Sequence, residues 1–454
     1  MSLLRIAWRN FCYRSLSSVL TTISLALGVA LVVLVLAIYG IVSEAFSRNA
    51  QVGYNLVVGP KGSALQLTLN SVYYLSQPIE NLPFTEYMEF FPADERAAMV
   101  RRFGGDPSLG ERDGIYSSLI YGGYAIPLAL GDYYGEFRVV GTTPDFFELL
   151  RHGETLEEPF TFREGRALKS HSEEHGYFEA VLGSQVAKQM GISVGDEFKP
   201  THGDPEGTGH GQGFTVVGIL DPTGTPNDRA TFVNLEGFYL LENHAKPLTG
   251  EETEVEPTEN PVDAGGNMPL TIAQREVTSI LVRNGQIAMA PILLNMVNES
   301  VRAQAAAPVG EISKLMNAVV GPLMTALLII TLITCVVAAV GVLVAIYNSM
   351  NDRRRDIAVM RALGARRETV TLVILFESFL IAVIGGVAGW FLAHLAIWAY
   401  GGEIEDRTGV QIGLFTTSSY EIYILPLVLL LGQFAGFLPA WFAYRTDVGS
   451  NLSA

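Results

Sequence analysis

Four long apolar segments are distributed unevenly along this chain, one near the start and three in the last third. They cover residues 19–42, 319–346, 370–400 and 422–443, and only the third contains a charged side chain, Glu377. A helix that crosses a bilayer needs about 20 mostly apolar residues. A soluble helix seldom stays apolar on every face over that length. The pattern therefore predicts four transmembrane helices, with a long polar region between the first and the second.

The expected fold is a membrane α-helical protein of four transmembrane helices, with a large mixed α+β extracytoplasmic domain inserted between helices 1 and 2. The predicted parts, in chain order, are a cytoplasmic amphipathic N-terminal helix (1–17), transmembrane helix 1 (18–44), the extracytoplasmic domain (45–315), transmembrane helix 2 (316–348), a cytoplasmic helix or loop (349–369), transmembrane helix 3 (370–400), a short outer loop (401–420), transmembrane helix 4 (421–445) and a cytoplasmic tail (446–454).

Local patterns predict several elements of the polar domain. Apolar or β-branched runs predict strands at 138–141, 180–183, 213–220 and 231–234. Helices are predicted at 145–150, after a Thr-Thr-Pro turn, and at 184–190, ending before Gly191 as a C-terminal cap. The stretch 251–268 is typical of a surface loop. Residues 55–130 and 244–275 give no prediction.

The distribution of charge predicts the orientation. Arg5, Arg9 and Arg14 precede the first apolar segment without any acid, and residues 347–369 contain six arginines. Short loops rich in Lys and Arg stay in the cytoplasm. We therefore expect both termini and the 347–369 loop to be cytoplasmic, in a cell (inner) membrane, with the polar domain outside. The polar domain is strongly acidic and has no basic stripe that could neutralise phosphates, so a nucleic-acid partner is not expected.

The N-terminus and the cysteines refine this picture. Leu4, Trp8 and Phe11 recur at helical spacing, which suits a helix in the headgroup region. The following apolar run is longer than the about 7–15 residues of a signal peptide, so an uncleaved anchor is expected. The only cysteines are Cys12 and Cys335, in or beside apolar segments. The outer domain therefore has no disulfide and no thiolate metal site.

Histidines and glycines of the outer domain are weak candidates for chemistry. His171 and His175 are four residues apart, but Gly176 follows at once and favours a solvated turn over a zinc site. His202 and His210 flank the glycine-rich stretch 202–213, which lacks a phosphate-binding pattern and is predicted as a hairpin loop in water. We expect no catalytic residue, no bound cofactor and no metal in this chain.

The basic loop contains the most informative local pattern. Ile357, Met360 and Leu363 recur at helical spacing between arginines, and the helix can end at Gly364. Such a cluster can simply set topology or attract anionic lipid headgroups. An amphipathic helix can also dock in the groove of a partner, and the apolar face favours this interpretation. Glu377 follows near the cytoplasmic end of the next segment, where a polar contact with this loop is favoured over a proton relay.

This loop resembles the signature of the FtsX-like/MacB-type permeases, the membrane subunits of type VII ABC systems. The usual pattern has an acid, Arg, any residue, Arg, Glu-Ile-Gly, and then Arg-Ala-x-Gly-Ala, with Glu early in the next membrane helix. The matching residues are Asp352, Arg353, Arg355, Ile357, Arg361, Ala362, Gly364, Ala365 and Glu377. Asp356 stands where the family has Glu, and Ala358 stands where it has Gly.

Other stretches extend the resemblance over nearly the whole chain. They are residues 7–11 before the first span, 140–147, 165–166, 181–183, 195–196 and 214–219 in the outer domain, and 438–443 with Arg445 and Asp447 at the end. Val448 stands where the closing motif often has Pro.

The resemblance implies a dimer with a second permease subunit, identical or not, and a separate cytoplasmic ABC ATPase that binds ATP and Mg²⁺. It implies that the ATPase-coupling residues are Arg353, Arg355, Asp356, Ile357, Met360, Arg361, Ala362, Leu363, Gly364 and Ala365. Membrane lipids and an extracytoplasmic adaptor or substrate protein are further expected partners.

Two functions follow from the resemblance. In the first, ATP hydrolysis moves the outer domain and exports or extracts a lipoprotein, lipid, peptide or drug-like substrate, which the family calls mechanotransmission. In the second, the same movement switches an extracytoplasmic hydrolase, as in the cell-division members. Those members have a much smaller outer domain, so the length of residues 45–315 favours export.

Overall fold

The protein is described from a computed structural model. The structure describes residues 3–13, 15–49, 53–153, 156–207, 209–248, 269–352, 359, 361, 364–408 and 424–445. The chain divides into two compact units. The first unit, the helical unit, contains residues 1–44, 317–405 and 411–454, and the second, the outer domain, contains residues 45–316 with 406–410.

The helices of the described residues have the following bounds. They are α1 Leu3–Tyr13, α2 Ser15–Asn49, α3 Ala64–Ser71, α4 Phe84–Met88, α5 Ala93–Phe103, α6 Asp145–Leu149, α7 Ser184–Met190, α8 Leu235–Tyr239, α9 Ala290–Glu299, α10 Pro308–Leu315, α11 Gly321–Asp352, α12 Arg367–Thr408 and α13 Ile424–Arg445. A π-helical turn, Met316–Val320, joins α10 to α11. Short 3₁₀ turns occur at Pro107–Gly110, Ser117–Leu119, Pro226–Arg229, Ile272–Gln274 and Ile287–Met289.

The strands belong to the outer domain. They are β1 Leu56–Pro60, β2 Leu82–Pro83, β3 Tyr124–Tyr134, β4 Phe137–Thr142, β5 Arg151–His152, β6 Glu158–Pro159, β7 Phe162–Gly165, β8 Glu179–Leu182, β9 Glu197–Phe198, β10 Thr201–His202, β11 Phe214–Leu220, β12 Ala230–Asn234, β13 Glu276–Val277, β14 Ser279–Arg283 and β15 Ala303–Ala306.

Three helices of the described residues are long and apolar enough to cross a membrane. These stretches are Ser18–Ile41, Pro308–Asn348 and Arg367–Gly402, and they coincide with the first three predicted spans. The fourth predicted span is also helical, as α13, but its passage through a membrane stays a prediction. α12 continues to Thr408 although Gly401 and Gly402 are poor helix formers, so the outer loop predicted from residue 401 is helical over its first eight residues.

Glycines bring the helices of the helical unit close together. A Cβ atom at Gly389 of α12 would lie 2.7 Å from the Cβ of Val29 in α2, and closer still to the carbonyl oxygen of Ala26. A Cβ atom at Gly436 of α13 would likewise lie too close to the side chain of Ser378 in α12. Each of these glycines has another glycine four residues before it, so small residues line one side of each helix. Such residues let backbones approach closely where no hydrophobic effect drives association.

We expect Gly389→Leu to destabilise the helical unit by about 1–3 kcal/mol, because the new side chain meets backbone that cannot move aside. Gly341→Leu in α11 is the matched control, since a Cβ atom there meets nothing within 4 Å. Thermal unfolding in detergent can be followed by tryptophan fluorescence, because all four tryptophans lie in this unit. Equal losses of stability in the two variants would contradict the close packing of α12 against α2.

A mixed eleven-stranded sheet organises the outer domain. Its main order is β15-β1-β14-β3-β4-β12-β8-β11-β7, with β10 paired to β3 and β9 paired to β11. The pairs β4–β12 and β8–β11 are parallel, and the other pairs of this sheet are antiparallel. The first strand after α2 and the last before α10 are direct neighbours, with Val57 opposite Ala306.

Both faces of this sheet are covered. Along β1, Val57 points into one core, while Leu56 and Val58 point into another, as expected for alternating side chains. The first core continues along the sheet and is covered by α3, α6 and α10. The opposite face carries two separate cores, one beneath α4, α5 and α9 and one beneath α7 and α8.

The local predictions for this domain are confirmed. β4, β8, β11 and β12 form where strands were predicted, and α6 and α7 form where helices were predicted. Gly191 ends α7 at a φ of 64°, and its N–H donates to the carbonyl of Ala187, as expected for a left-handed cap. The stretch predicted as a surface loop at 251–268 lies outside the described residues.

Candidate functional site

The predicted coupling segment lies between α11 and α12. Of its ten residues, Arg361, Gly364 and Ala365 are described, and the other seven lie outside the described residues: Arg353, Arg355, Asp356, Ile357, Met360, Ala362 and Leu363. The Gly364 N–H donates to the carbonyl of Arg361 at 3.1 Å, and its φ is 100°. Glycine adopts this conformation without strain, so the turn occurs where the sequence predicts a helix end.

The described residues leave this turn accessible. A Cβ atom at Gly364 would meet no described atom within 4 Å, and both Gly364 and Arg366 are exposed. The turn is followed by α12, which begins at Arg367. An exposed turn of arginines and small residues, held between two long helices, is suited to contact a partner.

Glu377 lies within α12 and is 7% exposed. It has a polar or electrostatic partner within the described structure, so the acid is not isolated. The adjacent Ser378 is fully buried, and its hydroxyl donates to the carbonyl of Leu375 at 2.8 Å. This turn of α12 therefore packs inside the helical unit.

His171 and His175 lie in a tight turn, as predicted. Ser172 and Gly176 close it with two backbone hydrogen bonds of 2.9 Å, and the imidazole of His171 packs edge-on against Tyr177. The closest acid to His175 is the neighbouring Glu174, at 3.7 Å. The two histidines do not converge on a common point with other ligands.

The prediction of a solvated loop for His202 and His210 is wrong for His210. The glycine-rich stretch does form a loop between β10 and β11, closed by an antiparallel bridge between Thr201 and Gly209. However, the loop folds inward, so the His210 side chain is 5% exposed and lies 3.0 Å from the buried carboxylate of Asp132. Burial lowers the pKa of His210 below its ordinary value, although the charge of Asp132 opposes this shift.

A buried ion pair that has no local sequence signature borders a cleft of the outer domain. Arg275 donates to both carboxylate oxygens of Glu236, at 2.7 and 2.6 Å, and its side chain is 1% exposed. The guanidinium also lies over the rings of Phe103, Phe84 and Tyr239. Burial acts to lower the pKa of Arg275, but the carboxylate of Glu236 outweighs burial and the pKa is raised.

The cleft beside this pair has a volume of about 500 Å³. Its wall combines aromatic and apolar side chains with a few polar groups. These residues include Phe84, Tyr87, Phe91, Met99, Phe103, Pro144, Asp145, Asn234, Glu236 and Arg275. A concave, mostly apolar wall with a small number of charged groups is the usual composition of a site for a small or medium-sized ligand.

Two family descriptions match the chain in succession. The MacB-like periplasmic core domain matches residues 18–253, which is more than half of the chain. The FtsX-like permease C-terminal region matches residues 328–448. The two matches together cover the first apolar segment, most of the outer domain and the later apolar helices, in the order that the sequence predicted.

Curated relatives resemble parts of the chain. The macrolide export ATP-binding/permease protein MacB of Bordetella avium is 33% identical over 124 residues, which are 27% of this chain and 18% of that protein. The MacB protein of Rhodopirellula baltica is 26% identical over 186 residues, 41% of this chain and 25% of that protein. An uncharacterised ABC transporter permease of Methanocaldococcus jannaschii is 25% identical over 135 residues, 29% of this chain and 33% of that protein.

The aligned stretches thus span no more than a third of these relatives. The mixed α/β domain, the three apolar helices and the two family matches nevertheless agree along most of the chain. The chain therefore belongs to the family of FtsX-like, MacB-type permeases.

Proposed function

We propose that this permease converts ATP hydrolysis on a separate cytoplasmic ATPase into movement of the outer domain, and that this movement exports or extracts a substrate. The observation that carries the proposal is the succession of a MacB-like periplasmic core and an FtsX-like C-terminal region in one chain. The MacB relatives are named for macrolide export and for combined ATP-binding and permease functions. In this proposal the ATP-binding part acts in a partner, with ATP and Mg²⁺ bound there.

The coupling role is proposed for residues 353–365. The segment joins α11 to α12, so a force applied to it acts on two long helices at once. Arg361 and the exposed turn at Gly364 provide charge and backbone that an ATPase groove can contact. Cations of this kind steer association with an acidic surface and fix its register.

The connectivity of the outer domain supports mechanical coupling. β1 begins soon after α2, and β15 ends just before α10 and α11. These two strands are adjacent and antiparallel, so both connections leave the domain at one edge of the sheet. A displacement of the helices would therefore act at a single place on the sheet, whose covered faces make it a stiff body.

The substrate proposed is a moderately hydrophobic molecule, such as a lipid, a lipoprotein, a peptide or a drug-like compound. The aromatic cleft beside Arg275 supports this class, because aromatic walls bind apolar surface and the ion pair can orient a polar group. The spans contain few polar side chains that could line a hydrophilic path. Binding at the outer side is therefore proposed, with no passage of the substrate between the helices.

The proposal can be tested on the complex of this chain with its ATPase in lipid nanodiscs. Spin labels at Glu173→Cys, an exposed site of the outer domain, report the distance between the two permease copies. We expect trapping with ATP and vanadate to change this distance, whereas ADP alone should leave it unchanged. Identical distances in the trapped and nucleotide-free complexes would overturn the mechanical role.

The proposed orientation, with both termini in the cytoplasm, predicts the reactivity of introduced cysteines. In a Cys12→Ser background, Glu173→Cys should react with a membrane-impermeant maleimide on intact cells. Arg366→Cys, which is also exposed in the structure, should react only after the membrane is permeabilised. Cys335 is buried and should stay unlabelled. Labelling of Arg366→Cys on intact cells would contradict the orientation.

A further inference from the structure

Four side chains of the outer domain converge on one point although they are far apart in sequence. They are Asp132, His202, His210 and His244, and one ligand atom from each lies within 4.8 Å of all the others. Among the described residues, no other set of His, Cys, Asp and Glu converges in this way. The site lies entirely within the outer domain.

The backbone places each of these residues. The pairing of β3 with β4 shifts register between Leu130 and Tyr133, so Asp132 lies in a bulge, which can turn a side chain away from the regular pleat. His202 in β10 is directly opposite Asp132 in the β3–β10 pair. The loop after β10 then returns His210, whose N–H donates to the carbonyl of Pro200 at 2.9 Å.

His244 arrives from a different part of the chain, the turn after α8. Its neighbour Asn243 has a φ of 68°, which turns the backbone sharply. The imidazole stacks on Phe238 with ring centres 4.5 Å apart and an angle of 23° between the planes, so its orientation is fixed. Its Nε2 atom lies 3.2 Å from Oδ1 of Asp132.

The distances fit a four-coordinate metal ion. Tetrahedral zinc with bonds of about 2.0–2.1 Å holds its ligand atoms about 3.3 Å apart. The three histidine nitrogens lie 3.3, 3.0 and 3.2 Å from the nearest carboxylate oxygen of Asp132. Only small movements of side chains are therefore needed to enclose an ion.

Hydrogen bonds within the cluster do not satisfy its buried atoms. Oδ2 of Asp132 and Nε2 of His210 are both buried and face each other at 3.0 Å without a well-formed hydrogen bond. The Asp132 side chain is 0% exposed, and those of His210 and His244 are 5% and 8% exposed. Buried polar atoms without a good partner destabilise a fold. An ion bound between these side chains would satisfy them.

The donor set also suits a divalent ion. A neutral imidazole offers a lone pair, and this is the form that binds a metal ion. A divalent ion would bind three neutral imidazoles and the carboxylate with a net charge of one.

We propose that Asp132, His202, His210 and His244 form a zinc site of the outer domain. Four protein ligands leave no open coordination position, so the role is structural. Bound zinc would fasten the loop after β10 and the turn after α8 to the bulge of β3. This inference does not depend on the proposed transport function.

The test uses the full chain in detergent, freed of metal with EDTA and then titrated with Zn²⁺ by calorimetry. We expect one tight zinc per chain, and Co²⁺ in its place should give the intense visible absorption of a four-coordinate ion. Zinc should also raise the melting temperature and slow amide exchange in residues 200–210 and 240–246. Wild-type protein that takes up no stoichiometric zinc would overturn the proposal.

Single alanine variants identify which side chains bind the zinc ion. Loss of a group that only orients a metal ligand weakens metal binding about 10–100-fold, so loss of a ligand itself in His210→Ala should weaken zinc binding at least about 100-fold. His202→Ala changes a half-exposed side chain, preserves the buried part of the cluster, and should also weaken binding. His175→Ala, in the turn outside the cluster, is the control and should bind zinc as the wild type does. Unchanged zinc affinity in both ligand variants, or an equal loss in the control, would overturn the assignment.

Discussion

The double variant Arg361→Glu/Gly364→Trp is expected to reduce the activity of the partner ATPase, in a reconstituted complex, to the basal rate of the ATPase alone. Reversal of a charge at a docking surface costs at least about 2 kcal/mol, which is about thirtyfold in affinity. The tryptophan adds bulk at an exposed turn and is strained at a φ of 100°. The measurement is ATP turnover in liposomes with increasing amounts of permease.

Two controls separate docking from folding. Arg366→Glu makes the same charge reversal at an exposed residue of the same turn, outside the ten predicted coupling residues, and should retain most of the stimulation. Size-exclusion chromatography should show that the double variant is as monodisperse as the wild type. Full stimulation of the partner ATPase by the double variant would show that this segment does not have the proposed coupling role.

Replacement of Arg275 by Met is expected to lower the free energy of unfolding of the outer domain by about 3–5 kcal/mol, because the substitution leaves the Glu236 carboxylate buried without its partner. The change also removes a guanidinium that lies 3.8 Å from the ring centre of Phe103. Urea unfolding of the full chain can be followed through tyrosine circular dichroism, because the outer domain contains tyrosines but no tryptophan.

Removal of both charges should destabilise the outer domain less than removal of one. The variant Arg275→Met/Glu236→Gln has no unpaired charge, so part of the lost stability should return. Lys314→Met removes a cation from the exposed pair with Glu311 and should change stability by at most about 1 kcal/mol. A single variant Arg275→Met that is as stable as the Lys314→Met control would show that the buried pair has little importance.

Short-range signals were sufficient for much of the fold. The apolar spans, strands β4, β8, β11 and β12, and helices α6 and α7 follow from hydrophobic runs and turn residues within a few positions of each other. The order of these strands in the sheet cannot be predicted from such local signals. β11 and β12 are consecutive strands along the chain, but β8 lies between them in the sheet, which only long-range pairing decides.

Strand β3 was missed for a physical reason. Pro127 lies inside it, and proline normally argues against a central strand because it cannot donate a ladder hydrogen bond. β3 nevertheless pairs with β14 and β4, and the hydroxyl of Thr142 donates to the carbonyl of Pro127. Tertiary packing on both faces overrides the local preference here.

The histidine cluster was missed because its residues have no local signature. Its ligands are separated by 70, 8 and 34 residues along the chain, whereas a metal motif that is recognisable in a sequence has ligands only a few residues apart. The carboxylate of Asp132 gave no signal, since an acid after a glycine in an unassigned region resembles any surface turn. The coupling segment shows the opposite case, because its signature is contiguous and recognisable without a structure.

The adjacency of β1 and β15 also bears on how such proteins diversify. Neighbouring strands are about 4.8 Å apart, so the two ends of the outer domain could be joined by a very short peptide. A domain whose two ends are adjacent can be removed, exchanged or enlarged without a change in the distance between the helices to which it is joined. Selection for a new cargo could therefore act on the exterior portion alone, without any redesign of the lipid-embedded helices.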